Sequence, residues 1–114
     1  MPRNVLFICS RNRLRSPTAE QVFAEASGIE TSSAGLSHDA ANPVTPELLA
    51  WADIIFVMER VHRSKLSAKF KTHLGSRRVI CLEIPDNFAF MQPELIALLQ
   101  TKVPRHLPSA SSPS

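Results

Sequence analysis

The sequence predicts an α/β fold: a three-layer arrangement of about four parallel strands with helices on both faces. Two observations lead there. Val5–Ile8, Asp53–Met58 and Val79–Leu82 are near-continuous apolar runs, as expected of strands buried on both faces. Between them lie stretches with helix-capping chemistry, so strands and helices alternate, which favours a parallel sheet with right-handed crossovers.

Each element has its own local reason. Val5, Leu6, Phe7 and Ile8 form the first strand. Ser16 followed by Pro17 reads as an N-cap and first helical residue, predicting a helix over 16–27. Val22, Phe23 and Ala26 share one face of it, with Ala19 above them, and Gly28 closes it. Residues 29–33 read as a short strand that Ser33-Ala34-Gly35 turns out of. A polar loop runs over 36–44, and Thr45-Pro46-Glu47 opens a helix that turns Leu48, Leu49 and Trp51 inward. Residues 53–58 form the third strand and 59–70 a helical stretch. The fourth strand covers 78–83, with Val79, Ile80, Cys81 and Leu82 expected to be buried. Ile84 to Phe88 leave it as a loop, and residues 94–102 form the last helix, with Leu95, Ile96, Leu98 and Leu99 toward the core. Pro104 ends it. The domain is expected to span 1–104, with 105–114, rich in Ser and Pro, as a flexible tail.

The chain has 114 residues, a single-domain length, and a formal net charge of +3 that mildly favours anionic ligands. No apolar run approaches a membrane span, and no membrane partner is expected. Two cysteines and a start without signal-peptide character point to a reducing, cytoplasmic setting. The basic residues between Arg60 and Arg78 read as a solvated helix face, and secondarily as an anionic contact surface. His62 has no second histidine at metal-ligand spacing, so no metal or other cofactor is implied.

The chemistry concentrates between the first strand and first helix, in Cys9-Ser10-Arg11-Asn12-Arg13-Leu14-Arg15-Ser16. A loop entering a helix N-terminus turns backbone N–H groups toward one spot, and the helix dipole adds positive potential there. Arg15 adds a planar fork of donors matched to phosphate oxygens. A thiol in such a field gives up its proton easily, and the thiolate is the nucleophile. One loop can thus bind a tetrahedral oxyanion and attack it.

This Cys-x5-Arg-Ser loop, preceded by Val-Leu-Phe-Ile and followed by Ser-Pro-Thr-Ala-Glu, resembles the phosphate loop of the low-molecular-weight protein tyrosine phosphatases. The resemblance implies a phosphomonoester hydrolase, protein tyrosine phosphatase-like, acting through a cysteinyl-phosphate. Cys9 would be the nucleophile, residues Ser10, Arg11, Asn12, Arg13, Leu14 and Arg15 would cradle phosphate or sulfate, and Ser16 would hydrogen-bond the thiolate. Ser33 would hydrogen-bond Asn12 and hold the loop in shape. The substrate would be a phosphorylated protein or a small phosphomonoester.

Such a reaction needs a proton donor, and ligands of open parallel sheets bind beyond the carboxyl ends of the strands. Asp86, after the fourth strand, lies on that edge. It matches the family's general acid, with Asn87 where proline is usual. Asp53 lies on the opposite edge. Glu59 ends the third strand and can approach the site; Glu59, Asp39 or a water is the alternative acid. Phe88 falls where an aromatic wall residue stands in the family, with Phe90 able to assist, or else both belong to the core.

Besides Asn87, the sequence departs from the family in four respects. Arg11 replaces a usual glycine, Arg13 replaces an apolar pocket-mouth residue, and Leu14 replaces a second cysteine. The segment after Gly35 is shortened. The arginines suggest a more polar or more highly charged substrate. Two other readings compete. One is an oxyanion- or nucleic-acid-binding module without turnover, disfavoured for nucleic acid by the lack of interleaved aromatics. The other is arsenate reductase of the same fold, for which Cys81 alone remains to relay a disulfide.

Overall fold

The apolar runs assemble into one four-stranded, all-parallel sheet in the order β2-β1-β3-β4, comprising β1 (Arg3–Cys9), β2 (Ile29–Gly35), β3 (Ile54–Val57) and β4 (Arg78–Cys81). The computed structural model describes residues 3–12, 14–24, 28–75 and 77–107. Four helices connect and cover the strands: α1 (Arg15–Phe23), α2 (Pro46–Trp51), α3 (Arg60–Leu74) and α4 (Pro93–Lys102). A short 3-10 turn, Pro104–His106, follows.

β1 is central because it is apolar on both faces: Val5, Leu6, Phe7 and Ile8 are completely buried. Its alternating side chains feed two separate cores. Val5, Phe7 and Cys9 join Phe23, Leu95 and Leu99 under α1 and α4. Leu6 and Ile8 join Leu49, Leu66 and Ala34 under α2 and α3. Phe7 stacks between Phe23 and Phe56, with ring centroids 6.0 and 5.4 Å away; each such pair contributes about 0.5–1.5 kcal/mol beyond burial.

The chain runs from β1 outward to β2, then returns past β1 to β3. The direction of winding therefore reverses between β1 and β3. That reversal is what puts helices on both faces, and it opens a crevice at the carboxyl ends of these two strands. Backbone register sets the level: Cys9 pairs with Gly35, and Ile8 with Val57, which pairs in turn with Cys81.

Several local expectations change. β2 continues through Gly35 rather than turning at Ser33, because it follows β1 residue for residue to Cys9. β4 is an edge strand whose Val79, Ile80 and Cys81 are only half-buried; Leu82, just beyond it, is buried. α3 extends to Leu74 with a kink at Phe70; its Arg60, Arg63, Lys65, Lys69, Lys71 and His73 side chains are exposed, and His62 is buried. The chain does not fray at residue 105: the Arg105 guanidinium reaches the Thr101 carbonyl, and Leu107 packs on the core beneath α4. Residues 108–114 of the expected tail, and Ala26 of the first helix, lie outside the described residues. No described helix is long and apolar enough to cross a membrane.

Candidate active site

The loop after β1 is shaped by the segment after β2. The Leu36, Ser37 and Ala41 N–H groups donate to the carbonyls of Cys9 (3.0 Å), Ser10 (2.8 Å) and Arg11 (3.0 Å). In a planar trans peptide unit the N–H points opposite to the C=O. Pulling three successive carbonyls outward therefore turns the Ser10, Arg11 and Asn12 N–H groups inward. The Asn12 N–H accordingly lies 3.1 Å from Cys9 Sγ. Asn12 takes a left-handed conformation (φ 57°), which asparagine tolerates better than most residues. Gly35 permits the close approach: a Cβ there would lie 2.6 Å from the Ala40 Cβ, 2.7 Å from the Ser10 carbonyl oxygen and 2.9 Å from the Arg11 carbonyl carbon.

Cys9 Sγ has a second partner, the Ser16 hydroxyl at 3.0 Å. The Asn12 side-chain amide donates to that hydroxyl at 2.9 Å. This explains why Ser16 does not cap α1. The helix begins one residue earlier, with Leu14 in the capping position and no side-chain cap, because the Ser16 hydroxyl is turned to the thiol. The expected Ser33–Asn12 bond is not formed. Ser33 Oγ instead donates to Glu20 of α1 at 2.5 Å, and Ser16 takes its place as the partner of Asn12.

Arg15 is 3% exposed. Its Nη1 donates to Glu59 Oε2 at 2.5 Å and to the Ile84 carbonyl at 2.7 Å. With Nη1 occupied, Nε and Nη2 remain as the adjacent donor pair for a bidentate anion. Asp86, mostly exposed, sits with Oδ1 3.7 Å from Arg15 Nε. Glu59 is oriented in turn by a capping box at the start of α3: its backbone N–H donates to His62 Nδ1 at 3.1 Å. Burial pushes the His62 pKa down, and the nearby Arg15 charge adds to the effect. Nδ1 is therefore a bare acceptor. His62 is a buried capping residue, and among the described residues no group of three His, Cys, Asp or Glu side chains could hold a metal ion.

The cleft measures about 470 Å³ and is lined by Cys9, Ser10, Arg11, Leu14, Arg15 and Asp86. Arg13, also expected in the loop, lies outside the described residues. Among the described residues no aromatic side chain lines the cleft. Phe88 packs on the core under α4, and Phe90 is half exposed away from the cleft. The segment between β4 and α4, which carries Asp86, is pinned to α1, where the Met91 N–H donates to the Thr18 hydroxyl at 2.9 Å. Sequence reasoning gave Glu59 a place near the site but missed its role as the partner of Arg15. It also missed Thr18 and the amides of 36–41, which carry no signal because any residue supplies a backbone N–H.

A thiol ringed by inward amides and a guanidinium at the N-terminus of a helix, above a parallel sheet, defines the class of cysteine phosphate-loop proteins. Residues 4–50 match the model of the low molecular weight phosphotyrosine protein phosphatases. The family resemblance by sequence is confined to those residues, and the chain as a whole shares the fold of such phosphatases. It is similar in structure to SP-PTP, a low molecular weight protein tyrosine phosphatase from Streptococcus pyogenes (TM-score 0.75, 16% identity, covering 95% of both chains). It is likewise similar to the tyrosine phosphatase Wzb from Escherichia coli K30 in complex with phosphate (0.72, 23%, covering 92% of this chain and 96% of that one). A third similar structure is the YwlE arginine phosphatase from Geobacillus stearothermophilus (0.70, 20%, covering 94% and 99%). No curated protein matches the sequence.

Proposed function

We propose that this protein is a cysteine-dependent phosphomonoester hydrolase in which Cys9, Arg15 and Asp86 carry the reaction. The observation that supports it most is the double hydrogen bonding of Cys9 Sγ, by the Asn12 N–H and the Ser16 hydroxyl, beside the free edge of Arg15. Two donors stabilise a thiolate, and the same amides and guanidinium match the equatorial oxygens of a transferring phosphoryl group.

In the first step the Cys9 thiolate attacks phosphorus, the P–O bond to the leaving group breaks, and that oxygen takes the proton of Asp86. In the second, water attacks the cysteinyl-phosphate, Asp86 takes its proton, the S–P bond breaks, and inorganic phosphate leaves. The Ser16 hydroxyl eases the departure of the thiolate. Ser10, Arg11, Asn12 and Leu14 supply loop positions around the anion. Similar structures include both tyrosine and arginine phosphatases, which supports phosphoryl transfer in common and leaves phosphotyrosine as one substrate among several to test.

Arsenate reduction by a disulfide relay is disfavoured by distance. Cys81 is level with Ile8 but on β4, two strands from β1. Two inter-strand spacings are about 9.5 Å, beyond disulfide reach. The test is hydrolysis of aryl, alkyl, nucleotide and phosphoprotein substrates by the wild type and by Cys9→Ser. Turnover by the wild type alone supports the reading. No turnover of any phosphoester refutes it in favour of a binding module.

A further inference from the structure

We infer that Arg11 selects phosphomonoesters whose leaving group carries a second anionic group, an inference that rests on the phosphatase reading above. Consider the charges that meet in the cleft. The Arg15 charge is answered by Glu59 at 2.5 Å and faced by Asp86 at 3.7 Å. A bound phosphoryl group takes the donors Arg15 has left. Arg11 lines the same cleft, is exposed, and enters no ion pair among the described residues. Asp39, whose carboxylate accepts a hydrogen bond from Ser37, faces Arg11 from beyond ion-pair distance. Among the described residues one cation at the cleft mouth is therefore left over after the phosphoryl group has been bound.

Its root is rigid. The Arg11 carbonyl is held by the Ala41 N–H, and Gly35 lets the backbones pack too closely for a Cβ. The side chain consequently extends from a fixed point on the wall that a leaving group must pass. The remaining wall does not suit an aryl ring. Leu14 is the one large apolar side chain on the described lining, and the candidate aromatics lie elsewhere. A leaving group that finds no stacking surface but does find an unpaired guanidinium is recognised by charge.

The test compares kcat/KM for 4-carboxyphenyl phosphate and 4-carbamoylphenyl phosphate, near-isosteres that differ in one negative charge. The wild type is expected to favour the carboxylate by about 2–5-fold at low salt, the range of one solvent-accessible ion pair. That preference should shrink markedly near 0.5 M salt, roughly, as screening sets in. Arg11→Gln should bring the ratio toward one, and Arg11→Lys should retain part of it. The ratio is the readout, so a change in overall rate does not obscure it. Equal kcat/KM for the two esters, or a preference that survives in Arg11→Gln, overturns this inference and leaves the phosphatase reading standing. Hydrolysis of neither ester by the wild type, under conditions where other phosphoesters are turned over, overturns it as well. Failure on every phosphoester overturns both.

Discussion

Glu59→Gln tests whether the fold spends a carboxylate on holding Arg15, the arginine of the loop. Arg15 is 3% exposed and Glu59 37%. Breaking a fully buried pair costs about 3–5 kcal/mol, while an exposed pair is worth at most about 1 kcal/mol. This pair lies between those limits. Glutamine keeps the shape and one acceptor for Arg15 Nη1 and removes only the charge. The Ile84 carbonyl still accepts from Nη1, and Asp86 at 3.7 Å compensates weakly. The expected loss is therefore about 1–3 kcal/mol, or a drop in melting temperature of roughly 5–15 °C for a domain of this size. Urea unfolding measures it. Phosphate should restore part of the loss, since an anion in the loop supplies the missing charge and stabilises the folded state by mass action. The variant should accordingly bind phosphate more tightly than the wild type. A double-mutant cycle with Arg15→Met isolates the pair. Unfolding within about 0.5 kcal/mol of wild type, the scatter of ordinary surface substitutions, together with unchanged phosphate affinity, would refute the assignment of Glu59 as counter-ion.

Three further outcomes follow from the same geometry. Gly35→Ala should displace the loop, because its Cβ would meet backbone atoms of Ser10 and Arg11 inside 3 Å; a cost of about 1–3 kcal/mol and a large loss of phosphate binding are expected by calorimetry. Asp86→Asn should slow alkyl phosphate hydrolysis by about 10²–10⁴-fold and slow nitrophenyl phosphate far less, since a good leaving group needs no proton; equal slowing of both would remove Asp86 as the acid. The fold lowers the His62 pKa, so the unfolded chain binds this proton more readily. The contribution of His62 is thus complete above the unfolded value of about 6.5 and is lost as pH falls through the folded value. Urea midpoints between neutral and mildly acidic pH should show that loss in the wild type and a flatter profile in His62→Gln, which keeps the capping box.

How much of this could be read from the chain depends on sequence distance. Cys9, Asn12, Arg15 and Ser16 lie within eight consecutive residues, between a buried strand and a helix start, and such a loop closes on itself. Its arrangement was legible because the geometry is local. The sheet was legible too, since apolar runs as long as Val5–Ile8 and Ile54–Val57 have no other place to go. The side chains that hold the loop in place were not. Glu59 meets Arg15 across 44 residues and the Ile84 carbonyl meets it across 69, contacts that exist only once β1, β3 and β4 lie side by side. The same limit moved Ser33 to Glu20: its partner depends on how β2 sits against α1, and a serine on a strand carries no mark of which carboxylate or amide it will face. Phe88 packs against the core instead of lining the cleft, a choice between two apolar settings that a phenylalanine in a loop does not reveal by itself. Local order decided which atoms could do chemistry, and tertiary order decided which charges surround them, because Coulomb interactions depend on where strands end and not on where residues stand in the chain.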